Sequence, residues 1–132
     1  MIHSSQLLRR ALLADAVFSG VSAIAMVLDT GALASLLGLP EALLRETGLF
    51  LIAYTALVGW LGARTSLPKG PVILVVAGNA AWTLASIALL LSGAVSPNLL
   101  GIIVILAQAI ATGVFAELQY MGLRRSQGVV TA

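Results

Sequence analysis

The sequence predicts an all-α polytopic membrane protein, an up-down bundle of four transmembrane helices with a short outer interfacial helix. Of the 132 residues, 60% are hydrophobic and only 9% are charged, whereas a soluble domain carries roughly 25% charged residues because its surface faces water. Mean hydropathy is +1.07. A span needs about 20 apolar residues to cross roughly 30 Å of hydrocarbon, and four segments satisfy that length. We therefore expect one transmembrane domain covering residues 1–132.

Prolines and polar turns delimit these segments. Pro40, Pro71 and Pro97 each stand where a helix is expected to begin, which suits a residue without an N–H donor. Polar turns at 65–70 and 92–98 separate the second, third and fourth segments. The predicted spans are about 11–28, 47–63, 72–91 and 99–121.

The connection between the first two spans, 29–46, is the longest. Its stretch from Gly31 to Gly38 is apolar but too short to cross a membrane, so it predicts a short helix at the outer interface. Pro40 then opens the second helix one or two turns before the hydrocarbon. Glu41 and Arg45 have the i,i+4 spacing at which side chains pair on a helix.

The distribution of basic residues predicts the orientation. Arg45 lies on the outer side, and the other six of the seven basic residues lie on the opposite side. Because basic residues concentrate in cytoplasmic loops, both termini are predicted to be cytoplasmic. The six are Arg9, Arg10, Arg64, Lys69, Arg124 and Arg125.

A cleaved signal peptide is the alternative interpretation of the first span. Arg9 and Arg10 followed by an apolar run have that appearance. The run, however, is about 18 residues long, contains Asp15, and is followed by no small-x-small cleavage site. We expect the first span to be retained.

Several function classes lack the residues they require. The chain has no cysteine and one histidine, His3, which alone cannot build a haem or zinc site. Neither a Gly-rich phosphate loop nor a Ser-His-Asp set is present. Basic residues at helix ends without interleaved aromatics do not predict nucleic-acid binding. We therefore predict no catalytic residues, metal or cofactor, and favour a non-enzymatic protein.

Three polar residues enter the predicted spans at similar depth. At about 1.5 Å per residue, Asp15, Asn79 and Glu117 lie roughly 7 to 12 Å from the cytoplasmic helix ends. The first and fourth helices are neighbours in an up-down bundle, so Asp15 and Glu117 are expected to meet. Such a pair could carry protons, bind a cation, or anchor a quinone or lipid headgroup. The alternative is that these groups hydrogen-bond one another and hold the helices together.

A deeper layer near the midplane predicts a pocket. It contains Ser19, Tyr54, Trp82 and Gln108. Trp82 is unusual at this depth, because tryptophan prefers the membrane interface and its indole N–H needs a partner.

Small residues predict close helix contacts. Gly48, Thr55, Gly59 and Gly62 form a stripe on the second span suited to tight packing. On the fourth span, Ala109, Gly113 and Glu117 are expected to share a face, which would turn Glu117 into a helix contact.

The chain resembles the DoxX-like small four-helix bacterial inner-membrane proteins. The resemblance rests on the Arg-led first helix, the run LLGLP at 36–40 before the second helix, and the overall length. The runs NAAW at 79–82 and AELQY at 116–120 look more like an uncharacterised bacterial membrane family. The resemblance implies the bacterial inner (plasma) membrane and association with quinone-linked redox complexes, but it assigns no site residue. Small multidrug transporters are a poorer match, because their glutamate lies mid-helix in the first span and Asp15 lies nearer the cytoplasmic end.

Three function classes follow. The sequence favours a non-catalytic accessory subunit or self-associating membrane component, whose partners are membrane lipids and itself as a homo-oligomer or a larger membrane complex. A small oligomeric transporter or channel using Asp15 and Glu117 is the first alternative. A lipid- or quinone-binding membrane protein is the second.

Overall fold

Five helices build the described part of the chain. The computed structural model describes residues 1–130. Four helices are long and apolar enough to cross a membrane, which confirms the all-α class and the predicted number of long apolar helices. The helices are α1 (Gln6–Leu28), α2 (Thr30–Leu37), α3 (Glu41–Ala63), α4 (Lys69–Ser92) and α5 (Leu99–Val130).

Each long helix extends beyond its predicted apolar span at one end or both. α1 starts five residues early because Ser5 caps it, accepting a hydrogen bond from the Leu8 N–H at 3.1 Å. α3 starts directly after Pro40, as predicted. α4 starts after Pro68, so the prediction that it begins at Pro71 is wrong. Pro71 lies in the first turn, where its missing N–H is not needed.

The four long helices enclose an incomplete ring. α1 packs against both α3 and α5, and α4 packs against α5. The first and last spans are therefore neighbours, as predicted. Among the described residues, α3 and α4 have almost no close backbone approach. The order around the bundle is α3–α1–α5–α4, with a gap between α3 and α4.

Glycines of α3 allow its close approach to α1. A Cβ at Gly48 would lie 2.9 Å from Met26 and Val27, and one at Gly62 would lie 2.9 Å from Leu13. The predicted small-residue stripe is thus confirmed as the α1 contact surface of α3.

Polar contacts join three segments at one end of the bundle. Ile2–His3 (β1) pairs antiparallel with Ser66–Leu67 (β2) in the α3–α4 turn. The Ser5 Oγ donates to the Gly122 carbonyl at 2.8 Å, and the Ser5 N–H donates to Ser126 Oγ at 2.8 Å. The N-terminus, the α3–α4 turn and the last turns of α5 therefore share this end, together with the six basic residues predicted to lie on one side. We call it the basic end.

The strand pair was not predicted, because two residues per strand are too few to show an alternating pattern. His3 lies in β1, with its side chain exposed. The strands place Ile2 and Leu67 in the core, which explains why so short a pairing forms.

At the opposite end, α2 packs over α3 and α5. The Asn98 Nδ2 donates to the Leu36 carbonyl at 2.7 Å, and the Asn98 N–H donates to the Leu37 carbonyl at 3.1 Å. The predicted short helix is confirmed, one residue earlier than expected at each end. The expected Glu41–Arg45 pair is also present, at 3.5 Å.

The exterior of the long helices is apolar. Val17 of α1, Leu84 of α4 and Ile110 of α5 are each more than half exposed. An apolar exterior of this extent is typical of helices that face hydrocarbon. The polar side chains of the spans lie mainly inside the bundle instead.

Candidate ligand-binding site

A buried carboxylate lies where the four long helices converge. Asp15 is 0% exposed. Its Oδ1 accepts a hydrogen bond from Ser19 Oγ at 3.0 Å. Its Oδ2 accepts from Tyr54 Oη at 2.7 Å, Asn79 Nδ2 at 2.9 Å and Gln119 Nε2 at 2.8 Å. We call these five residues the Asp15 cluster.

The donor set of the cluster suits an ionised carboxylate. A carboxylate only accepts hydrogen bonds, and two oxygens offer about four sites. All four partners donate to it, and hydrogen bonds to a charged acceptor are stronger than neutral ones. The Asn79 Nδ2 also donates to Gln119 Oε1 at 2.9 Å, which fixes both amides. Among the described residues, the ion pair present is Glu41–Arg45, so Asp15 has no cationic partner there.

The predicted polar cluster is therefore partly wrong. Asp15 and Asn79 meet, but Glu117 is exposed and does not contact Asp15. Gln119 takes that position on α5 and was missed. The predicted face used steps of four residues, and each step drifts about 40° around a helix. Glu117 therefore lies about 80° from Ala109 on the side away from the buried Thr112, whereas Gln119 lies on the side of Thr112.

The buried positions of α5 follow alternating steps of four and three. Apart from the buried glycines Gly101 and Gly122, they are Ile105, Ala109, Thr112, Ala116, Gln119, Leu123 and Ser126. Within this set, Thr112, Gln119 and Ser126 recur every seven residues, as in helices packed at small crossing angles. That repeat was the available signal for Gln119.

A second polar group lies farther from the basic end. The Trp82 Nε1 donates to Gln108 Oε1 at 2.8 Å. Gln108 Nε2 donates to Ser86 Oγ at 2.9 Å and to the Ile105 carbonyl at 2.9 Å. The unusual midplane tryptophan thus has the partner that its N–H requires.

A cavity of about 420 Å³ lies beside these groups. This volume is in the range of small-molecule sites, about 300–1,000 Å³. Its wall is mostly apolar and comes from all four long helices. The lining residues are Phe18, Ser19, Ser22, Met26, Phe50, Leu51, Ala53, Tyr54, Leu57, Leu74, Val75, Gly78, Asn79, Trp82, Gln108 and Thr112.

The cavity reaches the surface through the α3–α4 gap. Two of its lining residues, Phe50 on α3 and Leu74 on α4, are 56% and 64% exposed. Phe50 also stacks on Trp82 across the gap, with ring centroids 6.0 Å apart and planes 4° apart. The mouth is thus flanked by aromatic rings and opens on the apolar side of the bundle.

All four residues predicted for the midplane pocket line this cavity. Ser19 and Tyr54 are bonded to Asp15, whereas Trp82 and Gln108 are bonded to each other. Asp15 lies directly behind the wall.

The described residues contain no group of three or more His, Cys, Asp or Glu side chains that could hold a metal ion. In comparisons with family models, curated proteins and solved structures, none matches this chain.

Proposed function

We propose that this chain is a membrane-embedded binding protein that takes a lipophilic small molecule from the bilayer into the cavity between α3 and α4. The observation that carries the proposal is the cavity of about 420 Å³ beside a buried, fully hydrogen-bonded carboxylate. Ligand sites combine a mostly apolar wall with a few placed polar groups, which is the composition of this one.

The position of the mouth supports entry from lipid. The gap lies between two helices that are each long enough to span a membrane, and its rim residues Phe50 and Leu74 are apolar. A lipophilic ligand would therefore move from hydrocarbon to cavity without crossing water. Burying its apolar surface against Phe18, Leu57 and Val75 would exchange lipid contacts for protein contacts.

The geometry favours this function over the transporter or channel alternative. That alternative depended on a pair of carboxylates, and Glu117 is exposed on the outside of the bundle. An accessory subunit or self-associating component stays a prediction that rests on the small size and apolar exterior. A binding protein is compatible with it, because binding needs no catalytic residue.

Trp82 provides a reporter for the test. The chain has two tryptophans, and Trp60 lies at the exterior, 47% exposed, under the Arg64 guanidinium. In a Trp60→Phe background, Trp82 on the cavity wall is the single tryptophan. Bromoalkyl chains that enter the cavity quench its fluorescence saturably in nanodiscs, whereas collisions from bulk lipid rise linearly with concentration.

Gly78 provides a blocking variant with a matched control. It lines the cavity, and a Cβ there meets nothing within 4 Å, so Gly78→Leu adds a bulky side chain at the cavity wall without displacing backbone. The neighbouring Ala77 is exposed and outside the cavity lining, so Ala77→Leu adds the same side chain to the exterior. We expect saturable quenching to disappear in Gly78→Leu and persist in Ala77→Leu. Absence of saturable quenching by every probe in the unblocked protein would refute the proposal.

We further propose the bacterial inner membrane with both termini cytoplasmic. The collection of six of the seven basic residues at one end supports this orientation. Because the chain has no cysteine, single cysteines can be introduced at Thr65 and Ser35, which are exposed at opposite ends. In intact cells, an impermeant maleimide is expected to label Ser35→Cys and to spare Thr65→Cys.

A further inference from the structure

The polar wall of the cavity nearest Asp15 has no hydrogen left to donate. The Ser19 and Tyr54 hydroxyls both donate to Asp15. The two Asn79 Nδ2 hydrogens go to Asp15 and Gln119. A ligand could receive a hydrogen bond from these groups only by breaking one that holds the cluster.

The other polar groups of the wall also have their hydrogens engaged in hydrogen bonds within the protein. The Trp82 indole N–H donates to Gln108, and both Gln108 amide hydrogens are taken by Ser86 and the Ile105 carbonyl. The Ser22 hydroxyl donates to the Phe18 carbonyl at 2.8 Å. The Thr112 hydroxyl is hydrogen-bonded to the Thr83 hydroxyl and lies within donating distance of the Ala109 carbonyl.

What remains for a ligand is acceptor capacity. The hydroxyl oxygens of Ser19, Ser22 and Tyr54 keep lone pairs after donating. Asn79 Oδ1 receives no hydrogen bond from the described residues. Among these residues, the side-chain atom that is both fully buried and unpaired is Thr55 Oγ1. Asn79 Oδ1 is therefore not fully buried, and because Asn79 lines the cavity, this oxygen is accessible from it. Donation to a carboxylate also makes the Tyr54 and Ser19 oxygens better acceptors, since linked hydrogen bonds polarise one another.

The buried carboxylate and the aromatic rings of the wall both favour a cationic ligand. Asp15 lies behind this wall with no cationic partner among the described residues, in surroundings where charge interactions are weakly screened. Phe50 and Trp82 stack at the mouth, and Phe50 also lies over Tyr54 with centroids 6.4 Å apart. Aromatic faces attract cations, most strongly where water is excluded.

We infer that the ligand of this cavity is an amphiphile with a protonated amine headgroup, which donates to the Tyr54 and Asn79 oxygens while its apolar tail leaves through the α3–α4 gap. This inference rests on the proposed binding function. A quinone or fatty acid headgroup needs donors, and the wall offers none unless one of these hydrogen bonds is broken. The amine supplies both the hydrogens and the charge that the wall lacks.

A series of bromoalkyl probes with one chain length tests the inference. The probes carry an amine, an alcohol, a carboxylate or a quinone headgroup, and are titrated into Trp60→Phe protein in zwitterionic nanodiscs, each referenced to the Gly78→Leu variant. The amine is charged at neutral pH, like a lysine side chain. We expect its saturable quenching to have an affinity about tenfold or more above that of the alcohol, from cation–π and charge attraction, with the carboxylate and quinone weaker still.

Substitutions at the cluster separate charge from shape. Asp15→Asn removes the charge, and its remaining oxygen can keep the three bonds made at Oδ2; we expect it to bring amine affinity to within about threefold of the alcohol. Glu117→Gln removes an exposed carboxylate at similar depth and is expected to leave the preference unchanged. If Asp15→Asn does not fold, Tyr54→Phe provides a second test, because it removes an acceptor from the wall and should lower amine affinity selectively.

The outcomes distinguish the two proposals. If no probe quenches saturably, the binding function itself is refuted. If alcohol, carboxylate or quinone binds as tightly as the amine, the cavity is a binding site but the amine inference is overturned. An amine preference that survives both Asp15→Asn and Tyr54→Phe would also overturn it.

Discussion

Removing the Asp15 carboxylate should destabilise the bundle more than removing any other acidic side chain. Asp15→Ala leaves four donors without their acceptor, one each from Ser19, Tyr54, Asn79 and Gln119. Side-chain hydrogen bonds within a membrane contribute about 0.6 kcal/mol on average and at most about 1.7 kcal/mol. Four of them give a loss of about 2.4 kcal/mol, with an upper bound of about 7 kcal/mol.

The free energy of unfolding can be measured by titrating protein in mild micelles with a denaturing detergent and following helicity by circular dichroism. A loss of about 2.4 kcal/mol lowers the folded-to-unfolded ratio roughly 60-fold, which is well resolved. Glu117→Ala is the matched control, since its carboxylate is exposed, and we expect a change within about 0.5 kcal/mol.

Asp15→Asn tests the origin of the loss. Three of the four bonds end on Oδ2, so an asparagine with its oxygen in that position keeps them. Its Nδ2 then faces Ser19, whose hydroxyl can turn to accept. We expect a loss below about 1 kcal/mol. Equal losses for Asp15→Ala and Glu117→Ala, or for Asp15→Ala and Asp15→Asn, would refute the hydrogen-bond account.

Three further predictions follow from packing and capping. Gly62→Leu forces a side chain against Leu13, whose nearest atom would lie 2.9 Å from a Cβ at position 62. It should lower the free energy of unfolding by about 1–3 kcal/mol in the same detergent titration. An unchanged midpoint would contradict the close α1–α3 contact. Ser5→Ala removes the N-cap and the bond to α5 and should cost about 1 kcal/mol, visible as faster amide hydrogen exchange confined to the first turn of α1. Gln108→Leu leaves the Trp82 indole N–H without its acceptor and should shift the emission maximum of a chain carrying Trp82 as its single tryptophan; an unshifted spectrum would disprove that bond.

The spans could be predicted because hydrocarbon thickness sets a length that composition alone reveals. The α1–α3 contact was also predictable, since glycines such as Gly48 and Gly62 have few other reasons to recur on one face of a span. Depth along a helix is equally accessible, because the rise per residue is constant. That is why Asp15 and Asn79 were placed in one layer and were found there.

The direction in which each side chain points was harder to predict. In a helix of a soluble protein, the apolar residues lie on the buried face, but here both the outer and the inward faces are apolar. The predicted rotation of α5 about its axis therefore depended on a few small residues. Taking Ala109 as the reference placed Glu117, and not Gln119, on the inward face. The α3–α4 gap was not predictable either, because it depends on how α1 and α5 pack and not on any pattern within α3 or α4.

The gap and the Asp15 cluster are linked. α3 and α4 have almost no close backbone approach, yet Tyr54 of α3 and Asn79 of α4 both donate to the same oxygen of Asp15. The carboxylate of α1 therefore joins two helices whose backbones stay apart, and it does so from behind, leaving the space between them open. Close backbone packing of α3 on α4 would bury the same polar groups but close the cavity. An acidic residue in the interior of a transmembrane bundle is costly. Here its four hydrogen bonds keep the helices assembled while the space between α3 and α4 stays open.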